Sequence, residues 1–488
     1  MTTFDLVVVG GGTAGIVAAK TAAGFGVRVA LIERERTGGD CLWTGCVPSK
    51  ALIAVASAAA TIRSGHRFGI DAGEPRVDFA RVMEHVHGSI DHIAPVDSPE
   101  ALTAAGVTVV AGNAVFTGTD TVDVDADAAA AVAVAADGRS LTFTQAVITT
   151  GARPTVPPIA GIESVDYLTS ETLWGLTSLP ARLLVIGAGN IGCEMAQAFA
   201  RLGSDVTLVG RAASVLPKED ESASQVVEAA LAFDGVTVLT STAVTEIADG
   251  SALTDSGRTL DFDRVLVATG RTPRTSSLGL DSADVSLDDK GFVVVDDHLA
   301  TTNPRIFAAG DLTGHPQFTH TAGMHGSLAA SNAVLGLRRS IDKAGTPRVT
   351  FTDPEVASAG IDVRTARRIE GLRLQTLEHD DVDRAVTEGR MRGFTTLVLD
   401  SRHRIVGASV VGPRAGETIG ELVLAVEHGM RTRDLAGAMH PYPTYNDGPW
   451  NAAIADVRAQ LDSPFVSRAL GVVAKARGAW IRRQDRAR

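Results

Sequence analysis

The segment Phe4–Gly15 reads FDLVVVGGGTAG, a short apolar run that enters a glycine-rich turn. An alanine-rich stretch follows the turn, and a second apolar run, Val27–Ile32, ends at Glu33. Strand, turn, helix and strand in this order form a complete βαβ unit, which is typical of a dinucleotide-binding fold. The sequence therefore predicts an α/β protein that begins with such a fold.

Three glycines and one acid of this unit have separate predicted roles. Gly10 makes the tight turn, Gly12 lets the backbone approach a pyrophosphate, and Gly15 allows the helix to pack closely. Glu33, at the end of the second strand, suits the hydroxyl pair of a ribose. Together they predict a first nucleotide site.

A second copy of the unit begins at Leu183–Ile186 and ends with the strand Asp205–Val209. Its turn carries the glycines Gly187, Gly189 and Gly192. At the position that Glu33 occupies in the first copy, this copy has Gly210, followed by Arg211. Without a carboxylate to repel a 2′-phosphate, and with a guanidinium to pair with it, the second nucleotide is predicted to be NADPH, with NADH as the alternative.

The strongest local signal is the segment Gly38–Lys50, GGDCLWTGCVPSK, which lies between the first βαβ unit and an alanine-rich run. A thiol at the start of a helix has its thiolate stabilised by the helix dipole, which suits Cys46 for electron exchange with a nearby flavin. Cys41 would then face the acceptor. Four intervening residues are not the usual zinc spacing, and no metal site is predicted. Cys193 is read as a packing residue.

The length, cysteine count and net charge of the chain exclude several classes of protein. A chain of 488 residues requires several domains, and three cysteines cannot form the disulfide framework of a secreted protein. The net charge of -12 argues against general binding to nucleic acid or to an anionic membrane. With no signal peptide or integral membrane segment recognised, we expect a cytoplasmic enzyme.

These motifs, taken in order, resemble the class I pyridine nucleotide-disulfide oxidoreductases, a family that includes dihydrolipoamide dehydrogenase, glutathione reductase and mercuric reductase. The resemblance extends to about Ser463 and includes the segment Ala309-Gly310-Asp311. It implies an FAD domain split in sequence, an inserted NAD(P) domain, and a C-terminal α+β domain that pairs two subunits around a shared active site. The expected cofactors are FAD and NADPH.

The resemblance also assigns domains and site residues. The expected segments are residues 1–150 and 271–345 for FAD, 151–270 for NAD(P), 346–464 for dimerisation and 465–488 as a basic tail. Lys50 and Glu194 match an ion pair beside the flavin, and Asp311 matches the acid that holds the FAD ribityl chain. Further expected cofactor-binding residues are Gly39, Ala114, Thr150, Gly151 and Gly270.

The catalytic histidine of the disulfide reductases is missing. Where the family has His-x-His-Pro-Thr-x-x-Glu, this chain has HPYPTYND at residues 440–447, so Tyr442 replaces the histidine and Asp447 its orienting glutamate. A phenol with a pKa near ~10 is a poorer proton acceptor at neutral pH than an imidazole near ~6.5. His440 is the alternative acid/base, but it lies two residues earlier.

The predicted function is an oxidoreductase that passes electrons from NAD(P)H through FAD to the Cys41–Cys46 disulfide and on to a small acceptor. A mercuric-reductase-like reduction of a metal ion, disulfide or quinone ranks first, although no cysteine follows Cys193 to hand a metal inward. Dihydrolipoamide dehydrogenase ranks second. A redox sensor with little turnover, and a flavoprotein that never uses its cysteines, are the remaining alternatives.

The tail after Phe465 is basic, with arginines and one lysine among apolar residues. It predicts a surface helix or a frayed end, and binding to a membrane surface or a partner is the alternative.

Overall fold

The computed structural model describes residues 2–125, 139–341 and 345–486. The chain divides into two compact units, the first comprising residues 1–217 and 231–342, the second residues 218–230 and 343–488. Each unit has its own sheets and its own buried core. The five segments expected from the sequence are finer than this division and stay predictions.

The first unit is built on a seven-stranded sheet with a parallel centre. In spatial order its strands are Val107–Ala111, Val29–Glu33, Thr2–Val9, Arg139–Ile148, Thr121–Asp125 and Asn113–Gly118, with Ile306–Ala308 paired to Arg139–Ile148. Thr2–Val9 is buried on both faces, since Val7 and Val9 enter one core cluster and Leu6 and Val8 another. A non-alternating apolar run suits a strand covered on both sides.

The strand Val107–Ala111 corrects a sequence-based expectation. The alternating segments from about Val107 to Thr150 predict an antiparallel excursion, but Val107–Ala111 pairs in parallel with Val29–Glu33. The chain reaches it through the helices Phe79–Ile93 and Pro99–Ala104, and such a crossover returns a strand in the same direction. The antiparallel excursion is confined to the strands that follow it.

The second nucleotide fold has its own parallel sheet. In spatial order its strands are Thr237–Leu239, Asp205–Val209, Arg182–Ile186 and Arg264–Val267. An antiparallel sheet of Val244–Ala248, Ser251–Thr254 and Thr259–Asp261 adjoins it in sequence. Ala152–Pro154 and Arg271–Pro273 pair antiparallel, so the chain leaves and re-enters the first fold at one place. The two predicted Rossmann-like folds are confirmed.

Helices cover the sheets of the first unit. They are Thr13–Gly24, Gly39–Trp43, Cys46–Ser64, Phe79–Ile93, Pro99–Ala104, Asn190–Leu202 and Thr319–Leu335. The first and last of these pack closely, because a Cβ added to Gly326 would lie only 2.2 Å from the Ala14 carbonyl oxygen. Cys46–Ser64 packs against Phe79–Ile93 and Asn190–Leu202, which brings the cysteine segment beside the second glycine turn.

The second unit is an antiparallel sheet with helices. Its strands are, in spatial order, Arg348–Thr350, Glu355–Gly360, Ile405–Gly412, Phe394–Leu399 and Arg373–Glu378. Its helices are Val363–Ala366, Asp383–Thr387, Ala415–Glu427, Thr432–Gly437, Asp447–Leu461, Pro464–Arg486 and the part of Glu221–Phe233 that ends at Ala230. The core lies between the sheet and Ala415–Glu427, where Ile419 and Leu422 are buried against Ala408 and Val410.

One helical stretch, Gly39–Phe68, is the single one within the described residues that is long and apolar enough to cross a membrane by length and composition. One such stretch is weak support for a membrane span, since the core helices of globular proteins meet the same criterion. This stretch carries the cysteine pair and packs against two other helices of the first unit.

Candidate active site

The first glycine turn fits a pyrophosphate. Gly10 has a positive φ of 107°, and a Cβ on Gly15 would lie 1.8 Å from the Gly10 carbonyl oxygen, so the helix Thr13–Gly24 sits directly against the strand end. A Cβ on Gly39 would lie 2.6 Å from the Gly12 Cα, so two bare backbones meet in front of the helix. Bare backbone at a helix N-terminus is a cradle for an anion.

Glu33 is anchored to this turn. Its Oε2 accepts a hydrogen bond of 2.6 Å from the Gly11 amide, and its Oε1 accepts one of 2.8 Å from the Glu35 amide. The carboxylate is therefore fixed at the strand end where a ribose would lie, and its oxygens keep lone pairs for hydroxyl donors. Ala114 has its side chain buried in the core, so only its backbone could contact a nucleotide.

The second turn repeats the first. Gly187 has a φ of 116°, and a Cβ on Gly192 would lie 1.8 Å from the Gly187 carbonyl oxygen. A Cβ on Gly210 would lie 2.7 Å from the Ala188 Cβ, which explains why a small residue follows the strand Asp205–Val209. Arg211 is exposed beside it. The site thus offers a guanidinium where the first copy offers a carboxylate.

The cysteine pair lies where two helices meet. Cys46 begins the helix Cys46–Ser64, as predicted, and Cys41 lies in the short helix Gly39–Trp43. A Cβ on Gly45 would lie 2.7 Å from the Asp40 carbonyl oxygen, so glycine is required for the tight connection. Both cysteines are thiols in this structure, with Cys46 exposed and Cys41 half-buried.

The two thiols have opposite acidities. The pKa of Cys46 is lowered to about 6, first by a hydrogen bond from the Cys41 thiol, then by a hydrogen bond with Thr319 and the charge of Lys50. The same Cys46 interaction, with burial, raises the pKa of Cys41. At neutral pH Cys46 is therefore the thiolate and Cys41 keeps its proton, in line with the predicted division of roles.

Thr319 was not recognised from the sequence. It begins the helix Thr319–Leu335, and its Oγ1 lies 3.1 Å from the Cys46 Sγ. The two residues are 273 positions apart, so no local spacing could reveal the contact. Its hydroxyl is placed to donate to the thiolate and to favour the charged form of Cys46.

Replacing Thr319 by valine should move the pH midpoint of Cys46 alkylation upward by about one pH unit, because one hydrogen bond to a charged group is lost. The rate of iodoacetamide labelling of Cys46 between pH 5 and 9 in the reduced protein, followed by mass spectrometry, measures this shift. Thr319→Ser keeps the hydroxyl and should retain the wild-type midpoint. Equal midpoints for Thr319→Val and wild type would remove Thr319 from the site.

The contribution of the Cys46 thiolate to the folding stability of the reduced protein depends on pH, and the direction of this dependence follows from its pKa. The pKa of Cys46 lies below its ordinary value of 9.0, so the folded, reduced protein binds this proton more weakly than the unfolded chain does. The resulting stabilisation is complete above pH 9 and is lost as the pH falls through about 6.

Lys50 and Glu194 form the expected ion pair. The Lys50 Nζ donates to the Glu194 Oε2 at 2.9 Å, and only 7% of the Glu194 side chain is exposed. The pair connects the cysteine helix to the helix Asn190–Leu202 of the second nucleotide fold. Lys50 favours the Cys46 thiolate and Glu194 opposes it, so their balance contributes to the acidity of Cys46.

Asp311 shares an arginine with a residue of the cysteine segment. Its Oδ2 lies 3.4 Å from the Arg271 Nε, while the other end of the same guanidinium donates to Asp40. Burial is the main cause that raises the pKa of Asp311, and Arg271 counteracts it. Within the described part of the chain the Arg271 Nε has no hydrogen-bond acceptor, which leaves a donor beside the expected ribityl position. Arg271 was assigned no role from the sequence.

In the second unit, Tyr442 is held by a carboxylate that was not expected. Its hydroxyl donates to Asp383, and 69% of the residue is exposed. Asp383 is the main cause that raises the pKa of Tyr442, so the deprotonated form that could accept a proton is even rarer at neutral pH than in an unperturbed tyrosine. The predicted partner, Asp447, instead accepts from the Thr444 amide at 3.2 Å. Asp383 therefore replaces Asp447 as the residue that orients Tyr442.

His440 faces a different partner. Its Nε2 lies 2.5 Å from the Glu421 Oε1, its side chain is 5% exposed, and its ring stacks on Trp450 at a centroid distance of 5.5 Å. His440 and Tyr442 thus contact separate carboxylates, Glu421 and Asp383. Glu421 lies on the helix Ala415–Glu427 and was not recognised from the sequence.

Comparison with known proteins agrees with these motifs. The family model described as pyridine nucleotide-disulphide oxidoreductase matches residues 4–326, and the model of its dimerisation domain matches residues 346–453. The chain is 36% identical over 455 residues to a mercuric reductase of Streptomyces lividans, with 91% of this chain and 94% of that protein covered.

Two further similar proteins have names other than mercuric reductase. Dihydrolipoyl dehydrogenase 2 of Haloarcula marismortui is 36% identical over 467 residues, which cover 92% of this chain and 96% of that protein. Among solved structures, the Cu(II) complex of the HOCl-induced flavoprotein disulfide reductase RclA from Escherichia coli matches with a TM-score of 0.82 and 27% identity. That match covers 93% of this chain and 100% of the other.

Proposed function

Because the chain belongs to the class I pyridine nucleotide-disulphide oxidoreductase family, we propose that Cys41 and Cys46 form the redox centre of a metal-ion reductase. The protein is an FAD-dependent oxidoreductase that uses NAD(P)H. FAD held at the first glycine turn by Gly10, Gly12, Gly15 and Glu33 would supply the redox chemistry that links the nicotinamide to the cysteine pair. We infer a thiophilic divalent ion as the acceptor, with mercuric ion as the first candidate.

The choice of a metal ion as the acceptor depends on one observation, which is the environment of Tyr442. Reducing a disulfide delivers two electrons to two leaving thiolates that need protons, so an acid/base group must face the acceptor. Reducing a divalent metal ion to the neutral metal needs no such group. The two electrons come from NAD(P)H, which becomes NAD(P)+, and the reaction releases one proton instead of consuming one. A phenol whose pKa Asp383 raises further is a poor substitute for the family histidine in the first reaction and no obstacle to the second.

The two cysteines have different roles in this proposal. Cys46 is the thiolate that faces the flavin, held in its charged form by the Cys41 thiol, Thr319 and Lys50. Cys41 carries a proton until a soft metal ion displaces it and binds the sulfur, because thiolate and not thiol is the metal ligand. The Lys50–Glu194 pair holds the cysteine helix in position.

The dimerisation domain and the relatives support a homodimer. We propose in addition that the segment 440–447 of a second copy completes the acceptor site, with Tyr442 facing the cysteine pair. Binding of a small acceptor there, and a cytoplasmic location, stay predictions.

Dihydrolipoamide dehydrogenase remains the second candidate. The identity to the Haloarcula protein supports it, and so does the close contact between His440 and Glu421, which resembles the acid/base pair that thiol chemistry needs. In this alternative His440 would be the acid/base in place of the absent histidine, and Tyr442 would have no role in proton transfer.

An acceptor panel tests the choice. We expect NADPH oxidation by the FAD-loaded protein to be at least about tenfold faster with Hg2+ added as its chloride complex than with lipoamide, because chloride leaves without a proton whereas the thiolates of lipoamide need proton transfer. Tyr442→His should raise lipoamide turnover, while Tyr442→Phe should leave metal reduction unchanged. Lipoamide turnover that is highest in wild type and is lost in His440→Asn would favour the alternative, and negligible turnover with every acceptor would favour a redox sensor.

Nucleotide choice is tested at Arg211. Arg211→Ala should lower kcat/KM for NADPH by about tenfold and leave that for NADH nearly unchanged, because one charge-assisted contact to the 2′-phosphate is lost. Steady-state kinetics with both nucleotides measure the ratio. Arg258→Ala, at another exposed arginine of the first unit, is the matched control, and an equal fall for both nucleotides would contradict the predicted NADPH preference.

A further inference from the structure

The C-terminal helix Pro464–Arg486 is exposed along its whole length. None of the residues 464–486 that the structure describes is buried, although the helix carries large apolar side chains. Their exposed fractions include 84% for Phe465, 68% for Val472 and 64% for Val473. The dimerisation-domain match ends at residue 453, before this helix begins. The family fold therefore does not account for it.

The helix has two distinct faces. Spacings of seven, seven and four residues place Arg468, Lys475, Arg482 and Arg486 on one line along its surface. The adjoining side, about a quarter-turn around the helix, is apolar and includes Phe465, Ala469, Val472, Val473, Ala476 and Trp480. Arg477 lies at the border, with its guanidinium 4.2 Å from the centre of the Trp480 ring, and Arg483 is the basic residue that falls on the apolar side.

The charge of this helix is opposite to that of the chain. Residues 464–486 contain six lysines and arginines and a single acid, Asp485, whereas the whole chain has a net charge of -12. An anionic surface would attract the helix and repel much of the rest of the molecule, so only one orientation would be favoured. The acidic composition that argues against general membrane binding does not apply to this segment.

We propose that the helix Pro464–Arg486 lies in the surface of an anionic lipid bilayer and attaches the reductase there. A basic face beside a face with Trp and Phe is the pattern of helices that lie in the membrane interface. The apolar side would enter the boundary of the acyl chains, and the line from Arg468 to Arg486 would contact lipid phosphates. A bilayer can cover the whole apolar side without a matching protein surface.

Vesicle sedimentation with the FAD-loaded, full-length protein tests the proposal. We expect it to bind phosphatidylcholine vesicles that contain phosphatidylglycerol at least about tenfold more tightly than pure phosphatidylcholine, and less tightly as salt is added. The variant Arg468→Glu/Lys475→Glu/Arg482→Glu should lose this binding, and so should Val473→Asp. The control Arg258→Glu/Lys290→Glu/Arg338→Glu makes the same charge change elsewhere and should retain binding.

Three outcomes would overturn the proposal: no binding to either vesicle, equal binding of the helix variant and the control, or conversion of the Val473→Asp variant from dimer to monomer in light scattering. The last would show that a second copy covers the apolar side. All variants should keep NADPH oxidation with a water-soluble acceptor, so a failure here is separate from a failure of the proposed function.

Discussion

Cys46→Ser is expected to lower NADPH-dependent turnover on the order of a thousandfold while FAD stays bound, because the group that exchanges electrons with the flavin is removed. The expectation depends on the low pKa of the Cys46 thiol, which makes it the thiolate of the pair, and on its contact with Thr319. Anaerobic titration with NADPH should show the long-wavelength absorption of a thiolate beside flavin in wild type and not in the variant.

Cys41→Ser should be equally inactive toward the acceptor, yet it should retain the thiolate and therefore the long-wavelength absorption. Cys193→Ala is the matched control, since Cys193 is buried in the helix Asn190–Leu202 and is read as a packing residue. Unchanged turnover with quinone or metal ion in Cys46→Ser would mean that the flavin serves the acceptor directly, and the cysteine pair would lose its proposed role.

Gly15→Ala is expected to yield protein that binds almost no FAD. The added Cβ would lie 1.8 Å from the Gly10 carbonyl oxygen, so the turn must open and the helix N-terminus must move away from the pyrophosphate position. Overpacking of this kind costs about 1–3 kcal/mol of folding free energy in addition. The ratio of flavin to protein absorbance and the thermal midpoint measure the two effects.

Gly192→Ala makes the same 1.8 Å overlap in the second turn, with the Gly187 carbonyl oxygen, and should have the complementary result. This variant should keep its FAD but be reduced by NADPH much more slowly. Gly24→Ala is the control on the same helix as Gly15, since a Cβ there would meet nothing within 4 Å. Loss of FAD in Gly192→Ala, or its retention in Gly15→Ala, would reverse the assignment of the two nucleotide sites.

Much of the fold could be predicted because its signals are local. A glycine turn between an apolar strand and a small-residue helix is readable within about a dozen residues, and both turns have the predicted geometry at Gly10 and Gly187. The cysteine pair at a helix start is equally local. Val107–Ala111 was misassigned because its direction depends on the helical crossover before it and not on its own alternation.

The rest of the site could not be predicted from spacing. Arg271 contacts Asp40 across 231 positions, and Thr319 contacts Cys46 across 273, so only the folded chain brings them together. The partner of Tyr442 was misjudged for a similar reason: the family motif points to a residue five positions later, whereas the structure provides Asp383 from a different helix. Motif matching identifies reactive groups better than it identifies the residues that orient them.

The contact between Gly12 and Gly39 limits how far this architecture can be treated as a set of exchangeable modules. The nucleotide turn and the thiol-bearing segment meet through bare backbone, and a Cβ on Gly39 would leave only 2.6 Å to the Gly12 Cα. Neither motif could be transplanted into another scaffold, or replaced by a bulkier phosphate loop, without rebuilding the other. An engineer who wishes to change the acceptor should therefore redesign around this contact and leave Gly39 in place.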